Sequence, residues 1–163
     1  MDAFQDLIKG NHCFGCGPQN SSGLRIKSYW LDNNPQTGRS VCDFTPEPYH
    51  NAGMPHFLNG GIIASVMDCH AICTAMADGY MQANQAIGEG DVIWYVTGKI
   101  SVHYLKPVPI DQVSRFNMNI DKREGKKTWL SGELVINDTS HATADVLAIR
   151  VPESWLLRDS TNK

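Results

Sequence analysis

Apolar and polar positions alternate along most of this chain, and the alternation breaks in one long stretch. Residues 24–30, Leu-Arg-Ile-Lys-Ser-Tyr-Trp, alternate and predict a strand. The cluster at 33–38, Asn-Asn-Pro-Gln-Thr-Gly, predicts a turn, and 39–44 a second strand hairpin-paired with the first. From 60 to about 78 the residues are apolar almost all round, which predicts a single long helix buried on most sides. Asp78-Gly79 is expected to end or kink it, with a short helical continuation over 80–86 and a flexible connector at 88–91. Alternation then returns at 99–105, 113–120, 128–136 and 142–151, with turns at Glu124-Gly125 and 137–141 between the last three. Ahead of all this, 3–8 predicts a short helical start and then a glycine-rich turn region.

Two strands, one buried helix and four strands make an α+β chain. A helix apolar on most sides needs cover on most sides, which an antiparallel sheet curved around it provides. At 163 residues one domain is expected over 1–163, with an N-terminal segment at 1–23, a core at 24–151 and a C-terminal tail at 152–163. A net charge of −3 argues against nucleic acid and against an anionic membrane surface. The start, Met1-Asp2-Ala3-Phe4, lacks the basic and apolar runs of a signal peptide, and the apolar run at 62–67 is far too short to span a bilayer. A soluble cytoplasmic protein is the expectation. The cysteine count, five, is odd, and Cys69 and Cys73 sit four apart on the predicted helix. Reduced thiols are therefore expected rather than a disulfide framework.

Candidate chemistry concentrates at the start of the long helix. Gly60 and Gly61 open it, and Asp68 is the only acid on its first turns. Gly60, Gly61, Ala64 and Asp68 fall near one helical face. Free amides at a helix start can hold a developing negative charge on oxygen. A carboxylate on an apolar helix is costly to bury for structure alone, so Asp68 is read as a general base or a nucleophile, with the Gly60 amide as oxyanion donor and Gly61 beside it. Asn59 either donates to the substrate carbonyl or serves as the helix N-cap. The irregular loop at 45–58 carries His50, Asn51 and His56, which could line an entrance. Met67, Met76 and Met81 suit an adaptable apolar pocket, with Trp94, Tyr95 and Tyr104 as further lining. Cys69 and His70 point about 100° apart on a helix and read as core. Cys13-Phe14-Gly15-Cys16, with His12, offers part of a metal site, but no second Cys-x-x-Cys accompanies it. A packed turn over the sheet end is the simpler reading, and no metal or cofactor is expected.

Three segments resemble the hot-dog-fold thioesterases, in particular the phenylacetyl-CoA thioesterase (PaaI)-like branch. They are Asn59-Gly60-Gly61 followed by Asp68, His12-Cys13-Phe14-Gly15-Cys16-Gly17-Pro18 followed by Gly23-Leu24, and Val102-His103-Tyr104-Leu105-Lys106-Pro107-Val108. The chain departs from the family pattern in having Asn59 where His is commoner. The resemblance implies a hot-dog fold, in which a curved antiparallel β-sheet wraps one long central α-helix. It implies an acyl-CoA thioesterase that releases a free acid and coenzyme A. His56, Asn51, Lys106 and Tyr104 would then be substrate contacts, Lys106 suiting an anionic handle such as coenzyme A. It implies a homodimer or homotetramer, with Gly60 of one chain facing Asp68 of another. A hot-dog acyl-CoA hydratase or dehydratase and a non-catalytic acyl-CoA-binding protein are the alternatives.

Overall fold

A computed structural model describes residues 2–156. Six strands form one antiparallel sheet: β1 (Tyr29–Trp30), β2 (Arg39–Phe44), β3 (Trp94–Tyr104), β4 (Ser114–Glu124), β5 (Lys127–Ile136) and β6 (Thr139–Val151). Their order across the sheet is β1-β2-β4-β5-β6-β3. A short helix, α1 (Phe4–Leu7), precedes them, and the long helix α2 (Gly60–Gln82) lies against β3, β4, β5 and β6. This is the α+β, hot-dog arrangement expected from the chain. The last residues of the expected tail, 157–163, lie outside the described residues.

The core is the contact between α2 and the inner sheet face. Val66, Met67, Ala71, Cys73 and Ala75 of the helix meet Phe116, Met118, Leu130, Leu134 and Val146 of the sheet, all of them buried. Fully burying a side chain of the size of Phe116, Met67 or Leu134 contributes roughly 1.5–3 kcal/mol. Small residues set how near the layers come. A Cβ at Gly132 would stand 2.6 Å from Met118 Cε and 3.3 Å from Met67 Sδ.

Three expectations are corrected. First, α2 does not end or kink at Asp78-Gly79 but runs unbroken to Gln82. Gly79 is a packing residue: a Cβ there would lie 2.8 Å from Ile93 Cγ2 and 3.0 Å from Tyr95 Cε2. Asp78 is neutralised in place, with Arg123 Nε and Nη2 donating to its two oxygens at 2.7 and 2.8 Å. Second, the first strand is two residues long rather than seven. The backbone of the preceding residues is taken by other partners: Leu24 N–H donates to Phe14 O, Ile26 N–H to Gly15 O, and Ser28 O accepts from Phe4 N–H. Third, α2 spans 23 residues with a mean hydropathy of 1.4 over its most apolar stretch, so it is long and apolar enough to cross a membrane. Here the sheet covers it, with 67% of that stretch buried. The later strands form where alternation predicts them, β3 and β6 starting several residues earlier than expected.

The buried polar side chains of α2 are paired. His70 is fully buried, 2.8 Å from Ser28 Oγ and 3.4 Å from Ser40 Oγ, and burial pushes its pKa down to about 4. Ser40 Oγ and Thr74 Oγ1 lie 2.6 Å apart, and Gln5 holds Ser28 through two hydrogen bonds. These bonds tie α1, β2 and α2 together.

The Asp78–Arg123 pair yields the first prediction. The Asp78 side chain is 2% exposed and that of Arg123 43%, so removing the arginine strands a buried carboxylate. Arg123→Ala should lower stability by about 2 kcal/mol, below the full cost of breaking a wholly buried pair because Arg123 is partly solvated. Urea unfolding followed by circular dichroism measures it, and Arg123→Lys should recover only part of the loss, since lysine cannot make the two-pronged contact.

Candidate active site

Asp68 projects from the third turn of α2 into a cleft of about 240 Å³ between α2, the start of β3 and the N-terminal turn. Apolar side chains, Ile72, Met76, Trp94 and Tyr95, form much of its wall. Thr97 Oγ1 donates to Asp68 Oδ1 at 2.6 Å. Burial raises the Asp68 pKa above the ordinary carboxylate value; the Thr97 hydrogen bond opposes this and the neighbouring Cys16 adds to it. The half-buried carboxylate is thus held in one orientation with one oxygen left for other contacts.

Thr97 was not among the residues expected from the sequence. The β3–β6 register shifts between Thr97 and Lys99, so Gly98 marks a bulge. A Cβ at Gly98 would lie 2.5 Å from Ile149 Cδ1, so glycine lets the strands close there. A bulge bends a strand and re-aims its side chains. The isolated Gly98 within an alternating stretch was the available signal.

Gly60 begins α2 and Asn59 caps it, the Asn59 side chain accepting from Gly61 N–H at 2.7 Å. The Gly61 amide is therefore occupied, while among the described residues nothing accepts from the Gly60 amide. Tyr104 Oη donates to Gly60 O at 2.6 Å. Gly60, Tyr104 and Lys106 share an apolar groove of about 380 Å³ with Met54, Phe57 and Ile63. Asn51, Asn59 and Gly61 line a separate depression with His50 and Ser65. His56 is exposed, its ring edge-on to Phe57. Met76, Trp94 and Tyr95 do reach the Asp68 cleft, whereas Met67 is in the core and Met81 lies beside Gln36.

Gly60 and Asp68 are eight residues apart on one helix, and a rise of 1.5 Å per residue separates them by about 12 Å. An acid–base group and an oxyanion donor must each come within about 3 Å of one reacting centre. Within one chain these two cannot meet on a single carbonyl.

The other unforeseen feature of the cleft is sulfur. Cys13 and Cys16 from the N-terminal turn meet Cys69, and all three line the Asp68 cleft. The neighbouring thiols of Cys13, Cys69 and Cys73 hold Cys16 below its ordinary pKa, while proximity to Cys13 and Cys16 pushes Cys69 up and proximity to Cys16 pushes Cys73 up.

Asn59 offers a direct check of its place. Asn59→Ala should cost about 1 kcal/mol in unfolding free energy through loss of the cap, and Asn59→Asp should retain most of it. Thermal and urea unfolding of the three proteins would measure the difference.

No family model matches the chain. Over 125 residues it is 30% identical to acyl-coenzyme A thioesterase THEM4 of Rattus norvegicus, a match covering 76% of this chain and 48% of that protein. The protein of the same name from Xenopus laevis is 30% identical over 127 residues, covering 76% and 50%. The chain thus spans about half the length of the curated relatives it matches. Among solved structures, a thioesterase superfamily protein from Shewanella loihica aligns with a TM-score of 0.60 and 25% identity, covering 88% of this chain and 96% of that one. The PaaI protein of the E. coli phenylacetic acid degradation operon aligns with a TM-score of 0.62 and 14% identity, covering 79% and 81%.

Proposed function

Because the chain belongs to the hot-dog-fold thioesterase superfamily, we propose that it hydrolyses acyl-CoA thioesters to a free acid and coenzyme A, with Asp68 as general base and the Gly60 amide as oxyanion donor. The observation that carries this reading is the Asp68 cleft: a carboxylate with a raised pKa, oriented by Thr97 and walled by apolar side chains. A base poised upward toward neutrality is suited to taking a proton from water. In this mechanism water adds to the thioester carbonyl carbon and gives its proton to Asp68. The carbonyl oxygen becomes an oxyanion and accepts from the Gly60 N–H, aided by the helix dipole. The intermediate then collapses, the C–S bond breaks, and the departing sulfur takes up the proton.

The second part of the proposal is that the working unit is at least a dimer. Gly60 and Asp68 stand too far apart in one chain, so the amide acting with one Asp68 comes from a second copy. Strand β3 supports this. It is 11 residues long, lies at the edge of the sheet and pairs only with β6 among the described residues. An edge of that length is a template for pairing with another chain. Thr97, which orients Asp68, is on this strand. Tyr104, Lys106, Asn51 and His56 are proposed to contact the substrate as it approaches Gly60. A cytoplasmic location is part of the same reading, as five free thiols suit a reducing compartment. The hydratase or dehydratase alternative would want a histidine beside the acid, and among the described residues none lines the Asp68 cleft.

Two measurements test these claims. Thiol release should be followed with acyl-CoAs from acetyl to palmitoyl and with aromatic ones. Asp68→Asn should lower kcat by about 10²–10⁴ while leaving fold and oligomeric state intact. Binding without turnover by the wild type across the whole panel would overturn the hydrolase reading.

Gly60→Pro tests the shared site. Proline at the first helical position removes only the N–H and keeps helical φ, and Asn59 already has the extended ψ of 133° that a following proline requires. The variant should fold and lose about 10²–10³ in kcat. If the site is shared, refolding equal amounts of Gly60→Pro and Asp68→Asn together should restore about a quarter of wild-type activity, since half the dimers are mixed and each holds one intact site. No recovery from demonstrably mixed dimers would mean that the two groups do not act across chains.

A further inference from the structure

The cysteines beside Asp68 are arranged as a set of ligands. Cys13 Sγ and Cys69 Sγ are 3.6 Å apart, and the sulfurs of Cys13, Cys16 and Cys69 all lie within 4.8 Å of one another. Around a tetrahedral zinc with Zn–S bonds of 2.3 Å, sulfurs stand about 3.8 Å apart. The triangle therefore needs only small adjustments to close on a cation.

The turn that carries two of these thiols is built to present them. A Cβ at Gly15 would lie 2.2 Å from Cys69 Sγ, so only glycine lets the turn come down onto α2. A Cβ at Gly17 would lie 2.4 Å from Cys13 N, so only glycine lets the turn wrap back on itself, closed by Gly17 N–H donating to Cys13 O at 2.8 Å. Asn11 is 2% exposed and has both ends committed to this loop. Its Oδ1 accepts from Cys13 N–H at 3.0 Å and its Nδ2 lies 3.4 Å from Cys16 Sγ. A buried side-chain donor aimed at a sulfur is the kind of outer contact that orients metal ligands. Buried cysteines often act simply as small apolar residues. That role does not account for Cys13, which is exposed yet held against Cys69 by two glycines and a buried asparagine.

We infer that Cys13, Cys16 and Cys69 bind one zinc-class divalent cation as three thiolates, with the fourth position facing the cleft that contains Asp68. Thiolate ligands favour such borderline-soft cations over magnesium or calcium. The three thiols give up their protons to solvent on binding, leaving the assembled site with one net negative charge. This departs from the expectation of no metal. The Cys-x-x-Cys pair lacks a partner motif in the sequence, and the fold supplies the third thiol from α2. The inference stands apart from the hydrolase reading, and its test does not use activity.

The full chain should be reduced, its five thiols counted as free, stripped with a chelator and titrated anaerobically with Co(II). The expected result is one cobalt per chain with a thiolate-to-cobalt charge-transfer band and the intense visible bands of a tetrahedral site, both removed by one equivalent of Zn(II). Cys13→Ser alters an exposed position, should keep the fold, and should weaken Zn(II) binding at least about tenfold while reducing the charge-transfer band. Cys69→Ala should weaken it similarly from the helix side. Absence of the charge-transfer band with all thiols free would overturn the assignment, as would unchanged affinity and spectrum in folded Cys13→Ser. Formation of a Cys13–Cys69 disulfide in preference to Zn(II) binding, in a glutathione buffer of cytosolic poise, would overturn it in favour of a redox pair.

Discussion

The structure depends on burying α2. A helix of 23 residues that is apolar on nearly every side has no stable place at a protein surface, and the sheet must curve to cover it. The fit is tight enough that glycine is needed where α2 presses on the chain entering β3, at Gly79 against Ile93 and Tyr95. The same burial makes every polar side chain on α2 expensive unless the sheet or the N-terminal segment provides a partner.

Those partners separate structure from chemistry. His70 is satisfied by Ser28 and Ser40, Thr74 by Ser40, and Asp78 by the guanidinium of Arg123. Each is enclosed and has no further business with solvent. Asp68 differs: its hydrogen bond from Thr97 leaves one carboxylate oxygen without a partner among the described residues, and it opens into a cleft. A group whose environment raises its pKa yet leaves it accessible is suited to proton transfer, whereas the paired groups are suited to holding the fold. Thr97 links this site to the open edge of β3, so the residue that orients the carboxylate lies on the strand offered to a second copy.

The N-terminal segment, too, is more than a lead-in. It takes the backbone bonds that residues 24–28 would otherwise make in a longer strand, and it lays the Cys13–Cys16 turn along α2 at the level of Asp68. One wall of the Asp68 cleft is therefore made from residues far from α2 in the chain. A cation held there would sit beside the carboxylate and make the N-terminal turn part of the site's electrostatics.

Much of this was legible in the sequence. Period-two alternation predicted four of the strands, and the unbroken apolar stretch after Asn59-Gly60-Gly61 predicted the central helix, because burial on one face or all faces leaves a periodicity that local residues carry by themselves. Asp68, the one acid on the first turns of the helix, was visible for the same reason: its cost on an apolar helix does not depend on the rest of the fold. Other features came only with tertiary structure. Gly79 reads as a helix end in isolation and proves to be a packing position, since the constraint comes from Ile93 and Tyr95 across the interface. The first strand shrinks because its hydrogen bonds are taken by residues in the N-terminal segment. Thr97 and Cys69 acquire their roles from a bulge in β3 and from a turn some 50 residues away in the chain. Local sequence determines which segments must be buried and which conformations they favour; which side chains meet is decided by how the sheet closes on the helix, a non-local condition that no single segment encodes.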